Sequence, residues 1–159
     1  MSELKMKTNE ELILLRQTFR DSAQAIGTLA NLAKGQGLVE DLYIERIQQR
    51  ELEYPTGLEM PVPLAIPHIA DGCNQPFVSI ATLEKPVAFK SMDRSGDDVM
   101  VKIIFLFGIL DPKSQLAVLR RFAAAFADKE AVERLLAAER PADLLRELNQ
   151  ILEGLLSIG

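Results

Sequence analysis

The sequence predicts an α/β (α+β) fold: a mixed central β-sheet flanked by helices, in a single layered domain spanning residues 1–159. Three observations carry that prediction. Apolar residues recur at helical spacing near both ends of the chain, after Asp21 and again after Asp111. Between those stretches lie runs rich in β-branched and aromatic residues, the strongest from Val99 to Leu110. The order is strand, two helices, several strands, then helices, which places helices on a sheet rather than a bundle or a sandwich.

Each element follows from local signals. Leu12 to Leu15 is a short apolar strand. Asp21 and Ser22 start a helix whose apolar stripe is Ala25, Ile26, Leu29, Leu32 and Ala33, and Gly35 to Gly37 ends it. Val39, Leu42, Tyr43 and Ile47 form a second helical stripe reaching about Glu51. Glu53 to Gly57 is a loop with a proline turn. Prolines at 61, 63 and 67 leave room only for a brief strand at Leu64–Ile66. Phe77 to Leu83 is a strand, and Lys85 to Phe89 reads as a strand end or edge because Pro86 has no N–H for a ladder. Met92 to Asp98 is a polar loop. Val99 to Leu110 is apolar enough to be buried on both faces. Asp111 to Ser114 opens the next helix, with Ser114 read as its cap and Leu116, Leu119, Phe122, Ala123 and Phe126 as its stripe. Lys129 to Ala138 is a short helix. Residues 139–159 are read as a C-terminal helix, with Pro141 in its first turn and Leu144, Leu145, Leu148, Ile151, Leu152 and Leu155 on its apolar face.

Composition excludes several functions. The net charge is −5 with acids and bases interspersed, so no basic face for nucleic acid is expected. No apolar run approaches the roughly 18 residues of a membrane span, so no membrane insertion is expected. The N-terminal residues lack the apolar core of a signal peptide. The single cysteine makes no internal disulfide framework, and a cytoplasmic location follows as the expectation.

The chain has one histidine, His68, placed where a short apolar strand meets Pro67. Pro67 fixes its own φ and narrows the backbone of Ile66, which helps to aim one ring. Imidazole is neutral near physiological pH, and one nitrogen can act as a nucleophile while the other is held by a hydrogen bond. Position alone favours an inert core or surface histidine. Its surroundings alter that balance: Arg50 and Glu51, then Pro55 to Leu58, then Ala65 to His68. This pattern resembles the enzyme IIA family of fructose/mannitol type in the bacterial sugar phosphotransferase system. The spelling from Glu53 to Leu58 resembles its galactitol-specific branch. The resemblance covers about residues 21–138.

The resemblance implies a phosphotransferase component that works as a phosphohistidine carrier. His68 would accept a phosphoryl group from the carrier protein HPr and pass it to enzyme IIB, with the sugar entering through the membrane component, enzyme IIC. No cofactor is implied, since the phosphoryl group comes from phosphoenolpyruvate through enzyme I and HPr. Arg50 matches the family's upstream arginine, and a guanidinium suits phosphate oxygens. The spacing from Arg50 to His68 is slightly longer than in mannitol and fructose enzymes, so Arg46 is an alternative. Thr56 is a further phosphate-supporting candidate. Gln115 stands where mannitol and fructose members carry a second histidine; it can donate an amide hydrogen but cannot titrate. Ile69 and neighbouring Leu or Phe side chains are candidates for a water-excluding collar.

Other chemistry finds little support. No nucleotide-binding fingerprint is present, so ATP is not the expected donor. Cys73 and His68 would need two more ligands to hold a metal, so no metal site is expected and Cys73 reads as a small filler. Asp97 and Asp98 read as a solvated loop. Two alternatives to a transport phosphocarrier stay open on the sequence. One is a regulatory protein of the same kind, whose His68 phosphorylation controls a partner. The other is a small metal-dependent or cysteine hydrolase, which the ligand count disfavours.

Overall fold

The computed structural model describes residues 4–159; residues 1–3, on which part of the expectation of no signal peptide rests, lie outside the described region. In chain order it has β1 (Met6–Thr8), a 3-10 turn (Glu10–Leu12), β2 (Ile13–Gln17), α1 (Ser22–Gly35), α2 (Asp41–Glu53), β3 (Gly57–Leu58), β4 (Leu64–Ala65) and β5 (His68–Ile69). There follow β6 (Phe77–Lys90), β7 (Asp98–Gly108), α3 (Pro112–Phe126), α4 (Lys129–Leu136), α5 (Pro141–Ile151) and β8 (Leu156–Ile158). All eight strands join one mixed sheet, ordered β3-β4-β7-β6-β1-β8, with β2 also paired to β6 and β5 to β7. The α/β expectation, a mixed sheet flanked by helices, holds.

The long strand β7 explains the layering. Its second half is buried on both faces, as the apolar run predicted. Ile103, Phe105 and Phe107 point into a core shared with Val118 and Phe122 of α3, Val132 of α4 and Leu148 of α5. Ile104 and Leu106 point into a second core with Ile26 and Leu29 of α1 and Tyr43 and Ile47 of α2. A period of two along one strand thus assigns two helical layers to opposite faces.

Several local expectations are corrected. Residues 139–159 are not one helix: α5 ends at Ile151, and Leu156–Ile158 is the parallel edge strand β8, paired with β1. Neither terminal strand has a long apolar run to announce it. Lys85 to Phe89 is an edge and not a strand end: β6 runs on through Pro86, which sits in a register irregularity between Thr82 and Val87, and from Val87 to Lys90 it pairs with β7 on one side while its pairing with β2 stops at Leu83. Ser114 is not the cap of α3: its N–H donates to Asp111 Oδ1 at 2.7 Å, and Asp111 is the cap. Leu42, Leu116 and Ala123 are exposed, while Val118 completes the buried stripe of α3. Asp98 begins β7 and pairs with Lys90 of β6 at 2.8 Å. Among the described residues no helix is long and apolar enough to cross a membrane.

Candidate functional site

His68 lies in the sheet itself, not merely beyond a strand end. β4 pairs in parallel with β7 through Leu64 with Ile103, and β5 through His68 with Phe107. The register is the same on both sides of Pro67, so β4 and β5 form one strand line interrupted by a residue that cannot donate. Pro67 still accepts, from the Phe107 N–H at 3.0 Å. The imidazole stacks on the Phe107 ring, centroids 4.6 Å apart and planes 8° from parallel. Phe107 is held from the far side of the sheet as well, where the buried Tyr43 hydroxyl donates to its carbonyl at 2.8 Å.

The Nδ1 atom of His68 is 2.6 Å from the Ile66 carbonyl oxygen. A carbonyl can only accept, so Nδ1 carries the hydrogen and Nε2 keeps its lone pair. Nε2 has no hydrogen-bond partner among the described residues. It is not sealed in either, since the only fully buried side-chain polar atom without a partner there is Thr8 Oγ1. Burial holds the imidazole pKa below its usual 6.5; the Ile66 hydrogen bond opposes that, and the charge of Arg50 adds to it. The site therefore holds a neutral imidazole with a free nitrogen near pH 7.

That nitrogen's ring borders a cavity of about 190 Å³, whose lining includes Arg50, Tyr54, Thr56, Arg94, Gln115 and Leu119. Two helices and two loops supply these side chains. Arg50 comes from the last turn of α2, Gln115 from the first turns of α3, and Arg94 from the loop joining β6 to β7. No carboxylate lines the cavity. The Arg50 guanidinium lies 4.2 Å from the Tyr54 ring centroid and that of Arg94 5.3 Å, so one aromatic ring carries both cations. Arg50 is half-buried and Arg94 exposed, which makes one the inner and the other the outer charge. Neither has an ion-pair partner among the described residues. A concave, carboxylate-free site with two unpaired guanidiniums and a neutral nucleophile suits a phosphate-like dianion.

The predicted residues separate clearly. His68, Arg50, Gln115 and Thr56 meet at the cavity. Arg46, one turn before Arg50 on α2, is exposed and does not line it. Thr56 does line it, but its hydroxyl hydrogen is given to Glu51 Oε1 and its N–H to Glu51 Oε2, both at 2.8 Å. It builds the wall rather than offering a free donor. Ile69 is no collar: it packs into the core on the opposite face of the sheet. Met92, Pro55, Tyr54 and Leu119 form the apolar rim instead. Cys73 is half-buried, its thiol donating to the Gln75 carbonyl and its pKa pushed up by burial to about 11. Among the described residues no group of three or more His, Cys, Asp or Glu gathers to hold a metal.

Arg94 is the residue that sequence reasoning missed. It sits in a turn-forming stretch that reads as plain solvated loop, and only folding brings it to the cavity. Its φ of 64° is left-handed, uncommon for a residue with a side chain. The loop is fixed to β3: the Met92 N–H donates to the Gly57 carbonyl at 2.8 Å. Gly57 permits that approach, because a Cβ there would lie 2.7 Å from the Lys90 carbonyl oxygen.

Comparisons with known proteins show the family and the fold. Residues 6–151 match the family described as "Phosphoenolpyruvate-dependent sugar phosphotransferase system, EIIA 2". The mannitol-specific phosphotransferase enzyme IIA component of Halalkalibacterium halodurans is 29% identical over 148 residues, covering 90% of this chain and 94% of its own. The galactitol-specific EIIA component of Escherichia coli strain K12 is 26% identical over 121 residues, covering 75% and 80%. Among solved structures, a IIA of Streptococcus mutans superposes with a TM-score of 0.73 at 23% identity, covering 91% of this chain and 95% of that one. The Escherichia coli mannitol IIA, solved in complex with phosphorylated enzyme IIB, gives 0.74 at 21% identity, covering 94% and 99%. The nitrogen regulatory IIA protein of Neisseria meningitidis gives 0.73 at 22% identity, covering 92% and 96%. These structural likenesses establish the shared fold.

Proposed function

We propose that His68 is the phosphoryl-carrying residue of this chain, which belongs to the EIIA 2 family of the phosphoenolpyruvate-dependent sugar phosphotransferase system. The chain is thus a sugar-specific IIA phosphotransferase component. The single observation that supports His68 is the 2.6 Å contact of Nδ1 with the Ile66 carbonyl, which leaves Nε2 nucleophilic at the cavity.

In this reading phospho-HPr, charged from phosphoenolpyruvate through enzyme I, brings its phosphorylated imidazole to the cavity. The Nε2 lone pair of His68 attacks phosphorus in line while the donor's nitrogen–phosphorus bond breaks and keeps its electron pair. No proton has to move. The ring gains positive charge as the new bond forms, and the Ile66 carbonyl stabilises it through Nδ1–H. The phosphoryl oxygens bear about two negative charges, as phosphorylated side chains do near neutrality. Arg50 and Arg94 neutralise them, and the Gln115 amide supplies a neutral donor. Phosphorylated His68 then passes the group to an enzyme IIB by the reverse step, and a membrane enzyme IIC couples it to sugar entry. No bound cofactor is needed, and the partners place the chain in the cytoplasm.

A galactitol-type system is the proposed setting. The Glu53–Leu58 spelling and a neutral Gln115 in place of a second titrating ring support it. The transport role is favoured over a purely regulatory one because the relatives at 29% and 26% identity are sugar-specific components.

The test is phosphoryl transfer from phosphoenolpyruvate through enzyme I and HPr, followed by intact mass. Wild type is expected to gain one acid-labile phosphoryl group and His68→Ala none. A wild type that gains nothing from a competent, species-matched donor pair overturns the reading.

A further inference from the structure

Thr56 and Ile66 occupy directly opposed positions in the antiparallel pairing of β3 with β4, continuing the register of Gly57 with Ala65. The Ile66 N–H donates to the Thr56 carbonyl at 3.2 Å, as such a pair requires. The return bond, from the Thr56 N–H to the Ile66 carbonyl, is the ordinary partner of that one. Here it is not made. The Thr56 N–H goes to Glu51 Oε2 at 2.8 Å, and the Thr56 hydroxyl to Glu51 Oε1 at 2.8 Å. The Ile66 carbonyl is thereby free to accept Nδ1–H of His68.

We infer that Glu51 is a positioning residue, which sets the tautomer of His68 by drawing the Thr56 N–H out of the sheet ladder and leaving the Ile66 carbonyl to the imidazole. The relay runs from Glu51 at the end of α2 through one backbone pair to the ring, with no contact between Glu51 and the phosphoryl group. Its catalytic meaning rests on His68 as the phosphoryl carrier, but its structural content does not. Two acceptors compete for the Thr56 N–H: a Glu51 carboxyl oxygen, whose bond is charge-assisted when the group is ionised, and a backbone carbonyl. Without the carboxylate, the ladder bond closes and the Ile66 oxygen acquires a second claimant. The buried Thr56 hydroxyl also loses its acceptor.

The decisive measurement is the ¹⁵N NMR signature of the His68 ring in the unphosphorylated protein, the only imidazole in the sequence. Wild type is expected to show Nδ1 protonated and Nε2 bare. Glu51→Ala is expected to shift the ring toward the Nε2–H form and lower the rate of phosphoryl acceptance by roughly tenfold, the size of one lost charge-assisted hydrogen bond. Glu51→Gln keeps an oxygen for the Thr56 N–H and an amide N–H for its hydroxyl, so it restores the wild-type tautomer. Should Glu51→Ala not fold, Glu51→Asp retains the charge but shortens the reach and is expected to shift the tautomer in the same direction. A wild-type ring signature in a folded Glu51→Ala or Glu51→Asp protein overturns the inference while leaving His68 phosphorylation untouched. Loss of phosphorylation in wild type with the Glu51-dependent tautomer intact overturns the phosphocarrier reading instead.

Discussion

The imidazole of His68 lies flat on the phenyl ring of Phe107, with centroids 4.6 Å apart and an interplanar angle of 8°. The two residues are register partners across β5 and β7, so the stacking follows from strand pairing. Phe107 is fully buried, and the Tyr43 hydroxyl anchors its carbonyl from the other face of the sheet. Tyr43→Phe is therefore expected to cost about 1–2 kcal/mol of stability, the price of one buried acceptor losing its donor. Urea denaturation measures that, and phosphoryl acceptance by the folded variant should stay near wild type.

Acidification should switch the acceptor off later than for a free imidazole. Burial first, and the Arg50 charge in addition, hold the His68 pKa below 6.5. The neutral, nucleophilic ring thus predominates at pH 6.5 and above, and is lost as pH falls through the depressed folded value. An NMR titration of the imidazole reads the midpoint directly. In Arg50→Ala the midpoint should rise toward 6.5 yet remain below it, because the larger cause, burial, is unchanged.

The two guanidiniums should contribute unequally. Arg50→Ala is expected to slow phosphoryl acceptance roughly 10- to 100-fold, since a half-buried charge-assisted contact is lost. Arg94 is exposed, so water replaces part of its effect, and Arg94→Ala should slow the reaction by about 3- to 10-fold. Because Arg94 has a left-handed backbone, Arg94→Gly removes the charge without strain and should match the alanine variant. Rapid-quench transfer from phospho-HPr gives the rates. A glycine variant as fast as wild type would show that the outer cation is idle.

Glu51 makes stability depend on pH in an unusual direction. Burial raises its pKa from 4.5 to about 7, against the lowering effect of the two Thr56 hydrogen bonds. Between those values the folded state binds more protons than the unfolded state, so stability falls as pH rises from 4.5 to 7 and levels off above. The size is on the order of 1–3 kcal/mol. Glu51→Gln should flatten that segment of the stability profile in urea melts at pH 4.5, 6 and 8.

Gly57→Ala tests the loop that carries Arg94. The added methyl meets the Lys90 carbonyl oxygen at 2.7 Å and the Phe89 Cβ at 3.2 Å. The strand and the loop must separate, at a cost of about 1–3 kcal/mol. Phosphoryl acceptance should fall with it, because the cavity wall and the outer guanidinium move together.

Much of this was legible in the residues themselves. α1 begins at the Asp21 cap, and the second half of β7 is buried on both faces as its apolar run requires. His68, Arg50 and Gln115 meet at one cavity, as the family resemblance implied. The failures share a cause. Residues 139–159 read as one helix because apolar spacing continues past Ile151, but Leu156–Ile158 finds an open edge beside β1, and a ladder outcompetes a last helical turn. Leu42 and Leu116 fit a helical stripe and are exposed, since periodicity gives a face and not the depth to which it is buried.

The sequence alone determined where the candidate nucleophile lies: one histidine behind one proline in a brief strand, in a chain whose mixed charge leads to no expectation of a nucleic-acid face. It also determined a sheet with helices packed on it, because the apolar run of β7 and the helical stripes are local properties. Tertiary structure decided the electrostatics. Arg94 reaches the cavity from a loop 26 residues beyond His68, through a hairpin between β6 and β7 whose register no local signal specifies. It decided as well that the Thr56 N–H serves Glu51 and not Ile66. That choice depends on the placing of a helix end against a sheet edge, and hydrogen-bond competition of that kind exists only once both are packed.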